Sequence, residues 1–136
     1  MDVWLNSYTI CKKYIKEYRN GLDVGCSRGD WSKHMVKDFE HVIGWDYRNK
    51  SAHIRKIKNI DISKFTFYNQ ALGEDNYTTY TKPGVGKIKG KGDLKVEVRT
   101  IDSYNLSNVD FIKMDVEGFE PKVLAGAEQT IKRFWP

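Results

Sequence analysis

The chain is poor in cysteine and histidine, and it has no long apolar run. Its two cysteines, Cys11 and Cys26, fall at no metal-ligand or redox spacing. That excludes a disulfide scaffold and points to buried thiols in a reducing compartment. His34, His41 and His53 do not cluster, so no metal site is expected. No stretch approaches the roughly 20 apolar residues needed to cross a bilayer, so no membrane contact is expected. Met1-Asp2-Val3-Trp4 does not begin a basic segment followed by an apolar one. A secretory leader is therefore not expected, and the cytoplasm is the expected compartment. Internal repeats and long low-complexity tracts are also missing.

What is present fits one domain over residues 1–136, long enough to bury a core without staples. The net charge of +5 suits an acidic partner, and it suits an ordinary solvated surface equally well. Trp4, Leu5, Tyr8, Cys11, Ile15 and Tyr18 recur at helical spacing, which predicts an amphipathic helix over 3–19 ended by Asn20-Gly21. Gly21–Cys26 and His41–Asp46 read as buried strands, with an Asp30-capped helix between them running to about Phe39. A basic stretch over 49–59 is expected to hold a short helix, and Phe65–Ala71 a third strand. Residues 77–81 and 95–100 predict a hairpin around the glycine- and lysine-rich segment 82–93. Val109–Val116 is a further central strand, and 120–134 a final helix with Pro121 in its first turn. Strand-helix alternation implies parallel pairing with helical crossovers, so the expected class is α/β.

The segment L-D-V-G-C-S-R-G-D follows a strand and opens a helix. Gly25 permits a sharp turn and a close approach to a ligand, Gly29 permits close contact at the helix start, and Asp23 sits near the strand's carboxyl end, where open α/β sheets bind ligands. An ordinary strand-to-helix turn would use glycine in the same way. The spacing does discriminate between cofactors. A dinucleotide fingerprint asks for glycine at 25, 27 and 30, and here those positions hold Gly25, Ser27 and Asp30. An acid at a helix start repels a pyrophosphate but tolerates a ligand without phosphate, such as S-adenosylmethionine. Some twenty residues on, Asp46 ends the second strand, where a carboxylate can accept both ribose hydroxyl hydrogens. It could equally be a turn aspartate leading into Tyr47-Arg48-Asn49. Tyr47 and Trp45 flank it and can border a nucleoside or simply pack. Arg28 is a candidate partner for the cofactor's carboxylate.

The string V-D-F-I-K-M-D-V-E-G-F-E, followed by V-L-A-G-A, resembles the signature block of FkbM-type methyltransferases. Y-N-Q-A-L-G-E and V-R-T-I-D resemble that family's third-strand motif and its approach to the signature strand, and L-D-V-G-C-S-R-G its cofactor loop. The resemblance spans residues 21–133. It implies a Rossmann-like three-layer sandwich with strand order 3-2-1-4, and methyl transfer from S-adenosylmethionine to hydroxyl oxygens of sugars or natural products. It also implies residue roles. Asp23, Gly25 and Gly29 line the methionine end, Asp46 takes the ribose, and Asn69, Gln70 and Ala71 lie beside the adenine, while Ser27 and Tyr47 are further candidate cofactor-binding residues next to these positions. Asp115 and Glu117 sit near the transferring methyl group. The second strand departs from the family pattern, ending in Asp46-Tyr47 rather than glutamate-proline. The family continues past the last helix into further strands, so the expectation is either a short form that oligomerises through an exposed sheet edge or a fragment.

A hydroxyl acceptor needs a base for its proton, and Asp115 or Glu117 is the candidate. Either acid could instead cap the final helix or pair with Lys113 or Lys122. Lys82, Lys87, Lys89 and Lys91 make the 82–93 loop a candidate lid or phosphate contact, or a plain solvated hairpin tip. It lacks interleaved aromatics, and the chain has no N-P-P-Y-type motif, both of which count against a nucleic-acid methyltransferase. Two further readings are a cofactor-binding module that acts only with a partner and a nucleotide-dependent oxidoreductase, the latter disfavoured by Asp30.

Overall fold

The computed structural model describes residues 2–50, 54–56, 60–83 and 88–136. In chain order the elements are α1 (Val3–Lys12), β1 (Asn20–Val24), α2 (Ser32–Met35), β2 (His41–Trp45), β3 (Phe65–Tyr68), β4 (Ala71–Leu72), β5 (Tyr77–Thr81), β6 (Leu94–Arg99), β7 (Val109–Met114), α3 (Glu120–Ala125) and α4 (Glu128–Phe134), with 3₁₀ turns at Ile62–Lys64 and Asp102–Tyr104. The main sheet has the order β3-β2-β1-β7, and every pair in it is parallel. This is the 3-2-1-4 order expected from the sequence. A smaller sheet, β4-β6-β5, holds the expected hairpin, with β5 antiparallel to β6 and β4 parallel to it.

Strand pleating sorts the core into two layers, because neighbouring residues face opposite sides of a sheet. Leu22, Val24, Ile43, Trp45 and Val109 pack with Val123 and Ala127 from the C-terminal helices. Val42 and Phe65 pack on the other face with Tyr8 of α1, Met35 of α2, and Phe39. Helices therefore cover both faces of a parallel sheet, a Rossmann-like three-layer α/β sandwich. Among the described residues, no helix is long and apolar enough to cross a membrane.

Several element boundaries differ from expectation, each for a local reason. The first helix stops at Lys12, not 19. Tyr18 and Arg19 are drawn into the ladder, where their carbonyls accept from Glu40 and His41, and Arg19 is anchored to Asp110. Asp30 does not cap α2; Trp31 occupies the cap position without a side-chain bond, and Asp30 stands 3.9 Å from Lys33. Regular helix there covers one turn rather than extending to Phe39. The third strand ends at Tyr68 because Asn69 turns its amide onto the Asp46 and Tyr47 carbonyls, and Ala71 then enters the second sheet.

The final helix is split at Gly126. A Cβ there would run into the Gly73 carbonyl. The Gly126 carbonyl accepts from Asp102, whose carboxylate in turn caps α4 through the Gln129 and Thr130 amides. Pro121 does lie in the first turn of α3. Of the basic stretch, residues 54–55 are helical, while 51–53 and 57–59 lie outside the described residues, as do 84–87 of the lysine-glycine loop.

Candidate functional site

At the carboxyl ends of β1, β2 and β7 the chain forms a cleft of about 270 Å³. This is where an open parallel sheet leaves a crevice for ligands. The floor is Val24, Trp45 and Leu72, and the walls include Phe119, Val116 and Ile88. Its ionisable side chains are Asp46, Asp115, Glu117, Arg48 and Tyr47. Among the described residues three carboxylates face one cation there, a local reversal of sign in a chain of net charge +5.

Gly25 shapes the rim. Its backbone has φ +73°, and a Cβ would collide with the Asp115 carbonyl oxygen. Glycine is needed there because the turn presses against the end of β7. The Gly25 and Cys26 amides both donate to the Trp45 carbonyl at 2.9 Å, tying the loop to β2.

Asp46 follows β2 directly, and its side chain is only 2% exposed. Four N–H groups reach its carboxylate: the Ser27 amide at 3.0 Å, the Arg48 amide at 2.8 Å, and the Arg48 Nε and Nη2 at 3.0 Å each. The hydrogen bond from Arg48 to Asp46 is the main reason the guanidinium pKa is raised. Burial lifts the neighbouring Tyr47 phenol above its ordinary value, so the ring stays neutral at physiological pH and is no base.

Asp115 and Glu117 follow β7 in an exposed turn. Glu117 has φ +55° and Gly118 φ +92°, so the two acids escape the strict alternation of a strand. Neither carboxylate forms a hydrogen bond or ion pair among the described residues. The residue at the cap of α3, Phe119, makes no side-chain cap bond, and the lysines open to them in the sequence pair elsewhere, Lys122 with Glu74 and Lys113 with Asp23.

Asp23 belongs to the opposite face of the sheet. It is fully buried, accepts from Ser32 Oγ at 2.6 Å, and pairs with Lys113 Nζ at 2.9 Å. Lys113 also donates to the Gly25 carbonyl at 3.1 Å, so this buried pair braces the glycine loop from beneath.

The sequence profile of the methyltransferase FkbM domain matches residues 26–136. The chain belongs to the FkbM methyltransferase domain family. A similar solved structure is methyltransferase FkbM from Methylobacillus flagellatus, with a TM-score of 0.67 and 23% sequence identity. The match covers 87% of this chain and 31% of that one, so the chain spans about a third of the length of its structural relative. No curated protein matches the chain.

Within this FkbM domain, the residues singled out from the sequence divide into two groups. Gly25, Asp46, Tyr47, Gln70, Ala71, Asp115 and Glu117 line the cleft. Asp23, Ser27, Gly29 and Asn69 do not. Ser27 and Asn69 act on its frame, through the Asp46 carboxylate and the Asp46 and Tyr47 carbonyls respectively. Gly29 closes the turn before α2 by donating to the Cys26 carbonyl at 2.7 Å. Arg28 is exposed and lies outside the cleft lining.

Sequence reasoning passed over Arg48 and the apolar lining residues Leu72, Ile88, Val116 and Phe119. Arg48 carried a local signal, standing two residues beyond a strand-ending acid in a turn. The apolar residues carried none that separates a cleft wall from a core position. Cys26 is buried, which pushes its thiol well above the ordinary range and removes it as a nucleophile. Among the described residues, no group of His, Cys, Asp and Glu is arranged to hold a metal.

Proposed function

We propose that this chain binds S-adenosylmethionine in the cleft and serves methyl transfer to a hydroxyl oxygen of a sugar or another small molecule. The observation that carries the reading is the acidic cleft at the strand ends, lined by a sequestered carboxylate and, among the described residues, by no cluster of phosphate-binding cations. A nucleoside ligand that bears a cationic centre and no phosphate matches that charge. A dinucleotide does not, since its pyrophosphate would meet Asp115 and Glu117.

The residues present fit the methyl donor. When bound, S-adenosylmethionine supplies an electrophilic methyl group on a sulfonium. Asp46 is the group to hold the ribose, as a fixed acceptor already set by the Ser27 amide. Gln70 and Ala71 lie on the nucleoside side, with Trp45 and Leu72 as apolar floor. Gln70 is held in orientation because its carbonyl accepts from Tyr104 and its amide donates to Glu97 at 2.9 Å. Asp115 and Glu117 remain for the acceptor side, where one takes the hydroxyl proton as the oxygen attacks. Two unpaired thiols accord with a cytoplasmic, reducing setting.

The test is calorimetric titration with S-adenosylmethionine and S-adenosylhomocysteine. Wild type is expected to bind both and to ignore NAD. Asp46→Ala is expected to lose about 100-fold in affinity, the scale of two hydrogen bonds to a charged group. Absence of binding by the wild type, or an Asp46→Ala variant that binds as well, would sink the reading.

A further inference from the structure

Asp46 presents a stoichiometric problem. An ionised carboxylate offers about four lone-pair sites, and in this structure four N–H groups already converge on it. A ribose diol brings two more donors, so two of the existing four must leave. The Ser27 and Arg48 amides belong to the backbone and cannot leave without moving the loop or the end of β2. The guanidinium can leave, because the Arg48 side chain is 35% exposed while Asp46 is 2% exposed. Its fork occupies both carboxylate oxygens, one through Nε and the other through Nη2. A vicinal diol has the same donor count, so the replacement is one for one.

The displaced cation needs a new partner, since an unpaired charge at a partly apolar mouth is costly. Two features supply one. The Tyr47 ring lies 5.7 Å beneath the Arg48 guanidinium carbon and can guide its swing. Glu117 lines the same cleft, already acts electrostatically on Arg48, and forms no hydrogen bond or ion pair among the described residues.

We propose that Arg48 is a positioning residue of the cleft: it competes with a ribose for Asp46 and passes to Glu117 when the ribose takes its place. The proposal rests on the nucleoside reading of the cleft and adds to it a built-in competitor and a named destination for that competitor. The handover gives each step a consequence. Arg48 lowers nucleoside affinity by competing for Asp46. Glu117 recovers part of that loss by receiving the guanidinium. The acid at 117 is thus occupied once ligand is bound, which leaves Asp115 as the free carboxylate on the acceptor side.

The experiment is calorimetric titration of S-adenosylhomocysteine into wild type, Arg48→Ala, Arg48→Lys, Glu117→Gln and the Arg48→Ala/Glu117→Gln pair. Arg48→Ala is expected to bind about tenfold more tightly, and Arg48→Lys about threefold, because lysine keeps the charge but loses the fork. Glu117→Gln is expected to weaken binding about threefold in wild type and to have no effect when Arg48 is absent. In the wild-type chain, the arginine Nε–Hε resonance assigned to Arg48 is expected to shift at saturation, and this readout does not depend on any variant folding. Unchanged or weaker binding by both Arg48 variants overturns the proposal. So does a Glu117→Gln effect of equal size in the two backgrounds, or an Arg48 resonance that does not move. No binding by the wild type overturns the nucleoside reading itself, so the two failures are distinguishable.

Discussion

Asp23 and Asp46 stand near the carboxyl ends of neighbouring parallel strands, both withdrawn from solvent and both paired with a cation. Their partners differ in one respect that decides their roles. Lys113 is 9% exposed and sits directly across the β1–β7 ladder from Asp23, locked between that acid and the Gly25 carbonyl. Arg48 is 35% exposed and hangs from a turn. A cation buried on both sides has nowhere to go, so the Asp23 pair can only hold the loop in place. A cation at a cleft mouth can exchange, and under the proposed reading that exchange hands Asp46 to a ligand. A buried acid would then be a framework element or a binding element according to the freedom of its counter-ion.

The comparison can be broken most directly at Lys113. Removing one member of a buried pair leaves an uncompensated charge, so Lys113→Met is expected to lower unfolding stability by about 3–5 kcal/mol. Arg48→Ala, whose partner gains access to water through the cleft, is expected to lose only about 1 kcal/mol. Urea titration of the two variants measures both. Equal losses would erase the distinction drawn here. The double variant Asp23→Leu/Lys113→Met should recover most of the loss, since a buried pair is often replaceable by apolar residues.

A smaller effect is expected at the turn the Asp23 pair supports. Gly25→Ala places a side chain at φ +73° and against the Asp115 carbonyl. About 3 kcal/mol of stability should be lost from backbone strain and overpacking together. Thermal unfolding checks the figure, and a melting temperature within a degree of wild type would show that the loop is not pinned from below.

The smallest effect comes from a third pair, Arg19 with Asp110, at the opposite end of β7. Hydrogen bonds from Arg19 hold Asp110 below its ordinary carboxyl value of 3.8. A depressed folded-state value stabilises the protein at pH above the unfolded-state value, and the contribution is lost as pH falls through the folded-state value. The loss therefore belongs below about pH 4. Asp110→Asn should lower stability near neutrality and flatten the profile in that acid window, so that variant and wild type converge at low pH. Urea midpoints measured from pH 6 down to pH 2.5 in wild type and variant give the answer, and identical acid limbs would show that the pair contributes nothing.

Much of the architecture was written locally. Short apolar runs marked β1, β2 and β7, the hairpin of β5 and β6 enclosed a glycine-rich turn segment, and strand-helix alternation implied parallel pairing. The signature block around Asp115 and Glu117 carried the family, and the spacing from Gly25 to Asp46 placed both at the cleft. Boundaries were less legible, because they depend on partners far away in the chain. Tyr18 and Arg19 leave the helix to join a ladder, and Gly126 breaks α3 from α4 against the Gly73 carbonyl.

The sequence by itself determined that acids would gather at strand ends, and in which stretches. Only the tertiary structure decided which face each acid takes and which cation meets it. Asp23 and Val24 are adjacent, yet the pleat sends Asp23 toward Ser32 of α2 and Val24 toward the cleft. The register of β1 with β7 then brings Lys113 opposite Asp23, while Arg48 reaches Asp46 through a two-residue turn. Residue type and spacing carry neither of these pairings, because a counter-ion is chosen by sheet register and by distance in space.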